Sequence, residues 1–377
     1  MSPVEQMQIC DKKEDFPVKR IVTFILACIM ILGLVACGNA QTPAGTTAQP
    51  TETTAPKVEK DDGVLRVLMI GHSLGNDAMW MQPSVFMNEA PDMKVVIGFL
   101  YYSGCQLKRH VDFAKGNEAV YGYLEYDSEK GDYWYKADSN GNMNPHVYGS
   151  HVSGADPSSG ISQTSKFAIQ RQDWDIVVTQ GYPWEVAKVK STAYDPNLVG
   201  NMAYLKQYVL ENDIDKETTP KFGWNMVWTF PDDDTLIRPN DRQTMDLNFA
   251  KVEDYYDTTA KIVRDELMPE FNFAYVMPSS TAYINALSGY KTTGEMYRDY
   301  AHASDFGRIM IAYLWYCTLT GAKIEECKFA PINYQYQKEE LAYYMKQDLV
   351  ITEEDKAVII EVVGNALAKP YEITPKA

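Results

Sequence analysis

From Gly63 onward, short apolar runs alternate with longer stretches of helical periodicity. This alternation constrains the architecture more than any other feature of the chain. The strand-like runs are Val64–Ile70, Met93–Leu100, Asp175–Gln180, Phe222–Trp228 and Phe273–Met277. The helical stretches are Asp77–Asn88, Ile161–Gln172, Leu198–Glu211, Val252–Leu267, Asp305–Thr320, Lys338–Gln347 and Glu353–Leu367. Strands joined through helices cross over and return parallel, so the pattern predicts a parallel sheet covered by helices on both faces. Runs such as "DIVVTQ" are apolar nearly throughout, as burial on both faces requires. The expected fold class is α/β, a three-layer αβα sandwich around a central parallel sheet. With 377 residues, 45% of them hydrophobic, the chain can fill such a core in one large domain, placed at residues 63–377.

The pattern breaks between Ala119 and Gly160. Turn signals at Glu129-Lys130-Gly131 and Asn140-Gly141 predict a β-hairpin insertion. Its aromatic residues Tyr121, Tyr123, Tyr126, Trp134 and Tyr135 have two readings of equal weight. They line a cleft for a sugar or another flat ligand, or they pack the hairpin on the domain face. A second aromatic cluster, "GWNMVWTFPDDD", follows the fourth strand, where the loops of an open α/β sheet gather around a ligand crevice.

The N-terminus reads as a targeting segment. Lys19 and Arg20 precede the apolar run "IVTFILACIMILGLVAC". Its end, Leu34-Val35-Ala36-Cys37-Gly38, resembles a bacterial lipobox, in which cleavage precedes a cysteine that then carries lipid. Residues 1–37 are thus expected to be a signal peptide with Cys37 as the lipidation site. Residues 38–62, rich in Thr, Pro and Ala, are expected to be a disordered tether. The expected location is extracytoplasmic, with membrane contact through the lipid anchor alone. A formal net charge of −16 argues against a nucleic-acid partner, which needs clustered Lys and Arg. Past Cys37 the chain keeps Cys105, Cys317 and Cys327, an odd number without paired spacing, so no disulfide framework is expected. No CxxC or HExxH spacing supports a metal site.

Chemistry is carried first by Ser73 in "VLRVLMIGHSLGND". It sits just past the first strand, where its hydroxyl projects above the sheet edge beside the free amides of a starting helix. Alone, a serine there is usually a cap; a nucleophile needs a base. Among five histidines, His302 in "RDYAHASDFG" has an acid three residues earlier, Asp299. One turn brings that carboxylate to the imidazole Nδ1–H, fixing the tautomer that leaves Nε2 free to take a proton. Ser304 is the expected cap of the helix that follows. Asp77 is read as a first-turn carboxylate explained by the helix dipole. His110 is read as structural, on a helix after the Gly104 turn; His146 and His151 are read as surface residues. Cys105 lacks a base and is read as inert.

These blocks together resemble the SGNH (GDSL-type) hydrolase superfamily, and within it a bacterial branch whose blocks read like "IGNSFSxDA" and "GGCxLxxH". The matching residues are Ser73 in "GHSLGNDA", Gly104 in "YYSGCQLKRH", and the pair Asp299 and His302. The resemblance spans about Val64 to Gly321. It implies a flavodoxin-like αβα sandwich and a serine esterase needing no metal or organic cofactor. It makes Ser73 the nucleophile, His302 the base and Asp299 its orienting acid. The oxyanion hole falls to the amides of Ser73 and Gly104. Two blocks depart from the pattern. His72 stands where Asp or Asn usually precedes the serine, and "TQGYPWE" replaces Gly-x-Asn-Asp. The third oxyanion donor is therefore assigned to the side chain of Gln180, with Asn225 a second candidate; a buried structural amide is the other reading of each. The implied substrate is an O-acyl group, acetyl included, on a carbohydrate. A glycan-binding lipoprotein of the same fold and an acyltransferase using the same residues are the alternatives.

Overall fold

A computed structural model of the chain describes residues 62–131, 134–146, 162–188, 196–215, 218–230, 252–299, 301–332 and 349–376. The expected signal peptide with Cys37, the tether up to residue 61, the helix expected over 338–347 and His151 lie outside the described residues.

Eight strands form one sheet: β1 Val64–Gly71, β2 Lys94–Tyr101, β3 Gly122–Asp127, β4 Trp134–Ala137, β5 Met143–His146, β6 Ile176–Thr179, β7 Lys221–Asn225 and β8 Tyr275–Met277. Their order across the sheet is β5-β4-β3-β2-β1-β6-β7-β8. The five strands expected from the sequence are present, and β2, β1, β6, β7 and β8 run parallel. β1 lies at the centre, with Val67 paired to both Ile97 and Ile176.

Alternation along β1 builds the two covering layers. Val67 and Met69 join one core, with Phe86, Met310, Leu314, Ile359 and Val362. Leu68 and Ile70 join the other, with Leu107, Met202, Leu205 and Tyr256. Successive strand residues point to opposite faces, so two separate cores on one strand mean a sheet buried on both sides. The first layer is made by helices Gln82–Glu89, Asp305–Thr320 and Glu353–Ala368. Helices Leu107–Gly116, Leu198–Asn212 and Val252–Ile262 make the second. Leu68 has no exposed surface, and truncating such a residue to alanine costs about 2–5 kcal/mol.

Three features differ from the sequence expectation. The insertion is a three-stranded antiparallel meander, not a hairpin, and it extends the sheet from the edge of β2. Tyr121, Tyr123, Tyr126 and Trp134 are at most 1% exposed, so for these four the packed reading holds, whereas Tyr135 is partly exposed. The helix expected over Asp77–Asn88 is two helices, Ser73–Met79 and Gln82–Glu89. Pro83 has no N–H to give the carbonyl of Met79, so the first helix ends there. A nine-residue helix, Ser279–Leu287, was not foreseen.

Candidate active site

β1 delivers the chain to a tight turn at the centre of the sheet's carboxyl edge. His72 is extended there and caps helix Ser73–Met79 through its ring, since Nδ1 accepts the Leu74 N–H at 3.4 Å. Nε2 faces the carbonyl of Gly181 at 3.4 Å. Accepting at Nδ1 while donating at Nε2 requires the neutral Nε2–H tautomer. Burial disfavours a charge on His72 and lowers its pKa to about 4; the Gly181 carbonyl offsets this only in part, and the charge of His302 lowers it further. His72 is thus a neutral helix cap. Ser73 becomes the first helical residue, partly exposed between buried neighbours.

Gln180 closes the turn from below. One end of its amide touches the main-chain N–H groups of His72 and Gly75 at 3.1 and 3.3 Å and His72 Nε2 at 3.0 Å. The other end meets the Asn225 amide at 2.9 Å. Main-chain N–H groups only donate, so the Gln180 oxygen belongs against the turn and its NH2 against Asn225. The Asn225 amide turns accordingly, and its far end lies 2.8 Å from Ser279 Oγ. Gln180 and Asn225 are both fully buried. The assignment of Gln180 as an oxyanion donor is corrected: it presents a carbonyl to the turn and supports it, and Asn225 is a structural amide beneath. Gly71 and Gly75 permit this contact, because a Cβ on Gly75 would stand 2.8 Å from the Gln180 amide and one on Gly71 3.1 Å from it.

Asp299 and His302 are brought together as expected. The Asp299 carboxylate lies 2.9 Å from His302 Nδ1 and also accepts the N–H of His302 at 2.8 Å and of Ala301 at 2.9 Å. Burial works to raise the Asp299 carboxyl. The hydrogen bond and charge of His302 and the two amides outweigh it and hold the group well below the usual carboxylate range. The loop is pinned from both sides. The N–H of Arg298 donates to the carbonyl of His302 at 3.0 Å, and Trp228 Nε1 donates to the carbonyl of Ala301 at 2.9 Å. Ser304 caps helix Asp305–Thr320 by accepting the Gly307 N–H at 3.1 Å.

Asp77 corrects a second expectation. It is not a first-turn carboxylate held by the helix dipole but is fully buried further along the helix, bound to Arg298, Arg308 and the N–H of Ala303. Burial favours the protonated acid, yet the guanidinium groups of Arg308 and Arg298 overcome it and keep the pKa low. The flanking arginines of "RDYAHASDFGR" were the available signal for this partnership.

Gly104 lies in the turn after β2 with φ +58, a left-handed conformation that suits glycine. A Cβ there would meet nothing within 4 Å, so the turn opens onto space. The following helix, Leu107–Gly116, is held by Glu185, a residue the sequence did not single out, which accepts the N–H of Leu107 at 2.9 Å. Cys105 is buried, and that burial pushes its thiol up, as an inert cysteine requires. His110 is also buried, its Nδ1 2.8 Å from the Tyr121 hydroxyl. The aromatic residues beside the turn come from elsewhere than the insertion. Tyr182 lies 5.3 Å from the His72 ring, and Trp184 and Phe230 pack 4.5 Å apart, ring centre to ring centre.

No protein-family model and no curated protein matches the chain. Among solved structures, it is similar to a DUF4886 family protein from Bacteroides uniformis, with a TM-score of 0.55 at 20% identity, covering 82% of this chain and 97% of that one. A variant of an acetylxylan esterase from Geobacillus stearothermophilus gives a TM-score of 0.35 at 13% identity over 68% of this chain and 94% of that one. LAE5, an alpha/beta hydrolase from the metagenome of Lake Arreo in Spain, gives 0.37 at 11% identity over 68% and 95%. At 20% identity the likeness to the first of these is one of fold.

Proposed function

We propose that this chain is a serine esterase of the SGNH type. Lipid on Cys37 tethers it outside the cytoplasm, and it removes O-acyl groups, acetyl included, from carbohydrates. The observation that carries the reading is the Asp299–His302 pair, 2.9 Å apart, on a loop bonded to the helix that Ser73 begins. Ser73 Oγ attacks the ester carbonyl while His302 Nε2 takes its proton. Asp299 stabilises the imidazolium so formed. The amides of Ser73 and Gly104 receive the negative oxygen, and among the described residues neither donates to an internal acceptor. Collapse of the tetrahedral species expels the sugar alcohol, protonated by His302, and leaves acyl-Ser73. Water then repeats the sequence and releases the carboxylic acid. The partly exposed rings of Tyr182 and Phe230 offer flat apolar faces suited to a sugar ring.

One observation favours a second reading, a glycan-binding protein on the same fold: Gln180 presents a carbonyl to the turn and does not supply the third oxyanion donor the resemblance implies. Release of acetate or p-nitrophenol from simple esters separates the two readings. Wild type should turn over and Ser73→Ala should not; equal rates overturn the esterase and leave the binder. Product analysis with an added sugar acceptor separates hydrolysis from acyl transfer.

A further inference from the structure

We propose that Asp77 is a positioning residue that holds the base His302 in register with the nucleophile Ser73, an inference that rests on the serine-esterase reading. Asp77 stands one turn after Ser73 on helix Ser73–Met79, so whatever its carboxylate binds is fixed relative to the serine. Oδ2 accepts the N–H of Ala303, the residue after His302, at 2.9 Å. Oδ1 accepts from Arg298 Nη1 at 2.8 Å and from Arg308 Nε and Nη2 at 3.0 and 2.9 Å. Arg298 Nη1 also donates to the carbonyl of Ala303 at 2.6 Å. Both ends of the loop that carries Asp299 and His302, and the helix after it, therefore converge on one buried carboxylate.

Stability alone does not account for this arrangement. Taking three charged groups out of water is costly, and well-packed apolar side chains in their place are often as stable or more so. The residues next to these groups in the chain are apolar and buried, among them Ala78, Met79, Ala303 and Ile309. The carboxylate adds direction: a hydrogen-bonded N–H and two guanidinium groups leave the loop one orientation relative to Ser73. A displacement of about 1 Å in a reacting group costs roughly 100-fold in rate.

The test compares kcat and KM on p-nitrophenyl acetate, with circular dichroism and thermal melting, for wild type, Asp77→Asn, Arg298→Met and Ser73→Ala. Asp77→Asn keeps an acceptor for Ala303 and loses both ion pairs. Its kcat should fall roughly 10- to 100-fold while KM stays within about twofold. Arg298→Met, on the partly exposed loop, should lower kcat in the same direction. A folded Asp77→Asn with wild-type kcat overturns the inference, as does a change confined to the melting temperature. If Asp77→Asn does not fold, a wild-type kcat in Arg298→Met overturns it. Full activity in Ser73→Ala removes the esterase reading and this inference with it. An inactive Ser73→Ala beside a fully active Asp77→Asn removes the inference alone.

Discussion

Asp299 holds His302 three times over. One carboxylate takes the ring Nδ1–H, at 2.9 Å, and the main-chain N–H groups of His302 and Ala301. The amide bonds fix the loop, and the ring bond fixes the tautomer. Asp299→Asn separates these effects. Asparagine keeps an oxygen for the main-chain amides, but its NH2 can face Nδ1 only if that nitrogen is unprotonated. The proton then moves to Nε2, the nitrogen that must accept from Ser73. The variant should melt close to wild type while kcat on p-nitrophenyl acetate falls by roughly 10³- to 10⁴-fold. A fall of less than about tenfold would mean that the tautomer is not what Asp299 supplies.

Gln180 gives a prediction of the opposite kind. Its oxygen satisfies the N–H groups of His72 and Gly75 from a fully buried position. Gln180→Leu keeps the bulk and strands both donors. Each stranded group costs about 1–3 kcal/mol, so urea denaturation should show a loss of several kcal/mol. Were Gln180 an oxyanion donor instead, Gln180→Leu would lower kcat and leave the denaturation midpoint in place.

His72 makes stability depend on pH. Its pKa is about 4 in the folded chain against an ordinary 6.5. Between these values the unfolded chain binds a proton that the folded chain does not. This contribution is therefore complete above about pH 6.5 and is lost as the pH falls toward 4. His110, lowered to about 3 by its own burial, acts in the same direction. At about 1.4 kcal/mol per pH unit, each histidine removes on the order of 2–3 kcal/mol between pH 7 and 4.5. Below the ordinary carboxylate range, protonation of Asp77 and Asp299, both held low, removes more. Asparagine at position 72 can still cap the helix. Denaturation of His72→Asn at the two pH values should show about half the wild-type loss; an undiminished loss would mean that His72 is charged when folded.

What the sequence made legible follows from the range of each signal. The apolar runs of β1 and β6 and the periodicity of Asp305–Thr320 are local, and the expected elements lie at or near the observed ones. The Asp299–His302 contact is also local, three residues long, so spacing alone suggested it. Asp77 was misread because its partners Arg298 and Arg308 lie more than 220 residues away, and one carboxylate in a first turn has a sufficient local explanation. Gln180 was misread because its position at a strand end is visible in sequence, whereas the direction of its amide depends on the amides of a turn more than 100 residues earlier. Helix Ser279–Leu287 was missed because it is buried on nearly every side, which removes the polar face that marks a helix.

Two glycines near the site should respond differently to alanine. Gly104 has φ +58 and open space where a Cβ would go. Gly104→Ala meets no clash and loses only about 1–2 kcal/mol from the left-handed conformation. Gly75 lies inside helix Ser73–Met79, where alanine normally gains about 1 kcal/mol. Its added Cβ, however, would lie 2.7 Å from Met69 Cε and 2.8 Å from the Gln180 amide. The Met69 methyl is the end of a flexible chain and can move. Gln180 cannot move without releasing the N–H groups of His72 and Gly75. Overpacking costs about 1–3 kcal/mol, so the clash outweighs the gain in helix propensity. Because the displaced amide supports the turn that carries Ser73, Gly75→Ala should lose activity as well as stability. Melting temperatures and kcat for the two variants decide the matter: a Gly75→Ala protein more stable than wild type would show that Gln180 does not hold the turn.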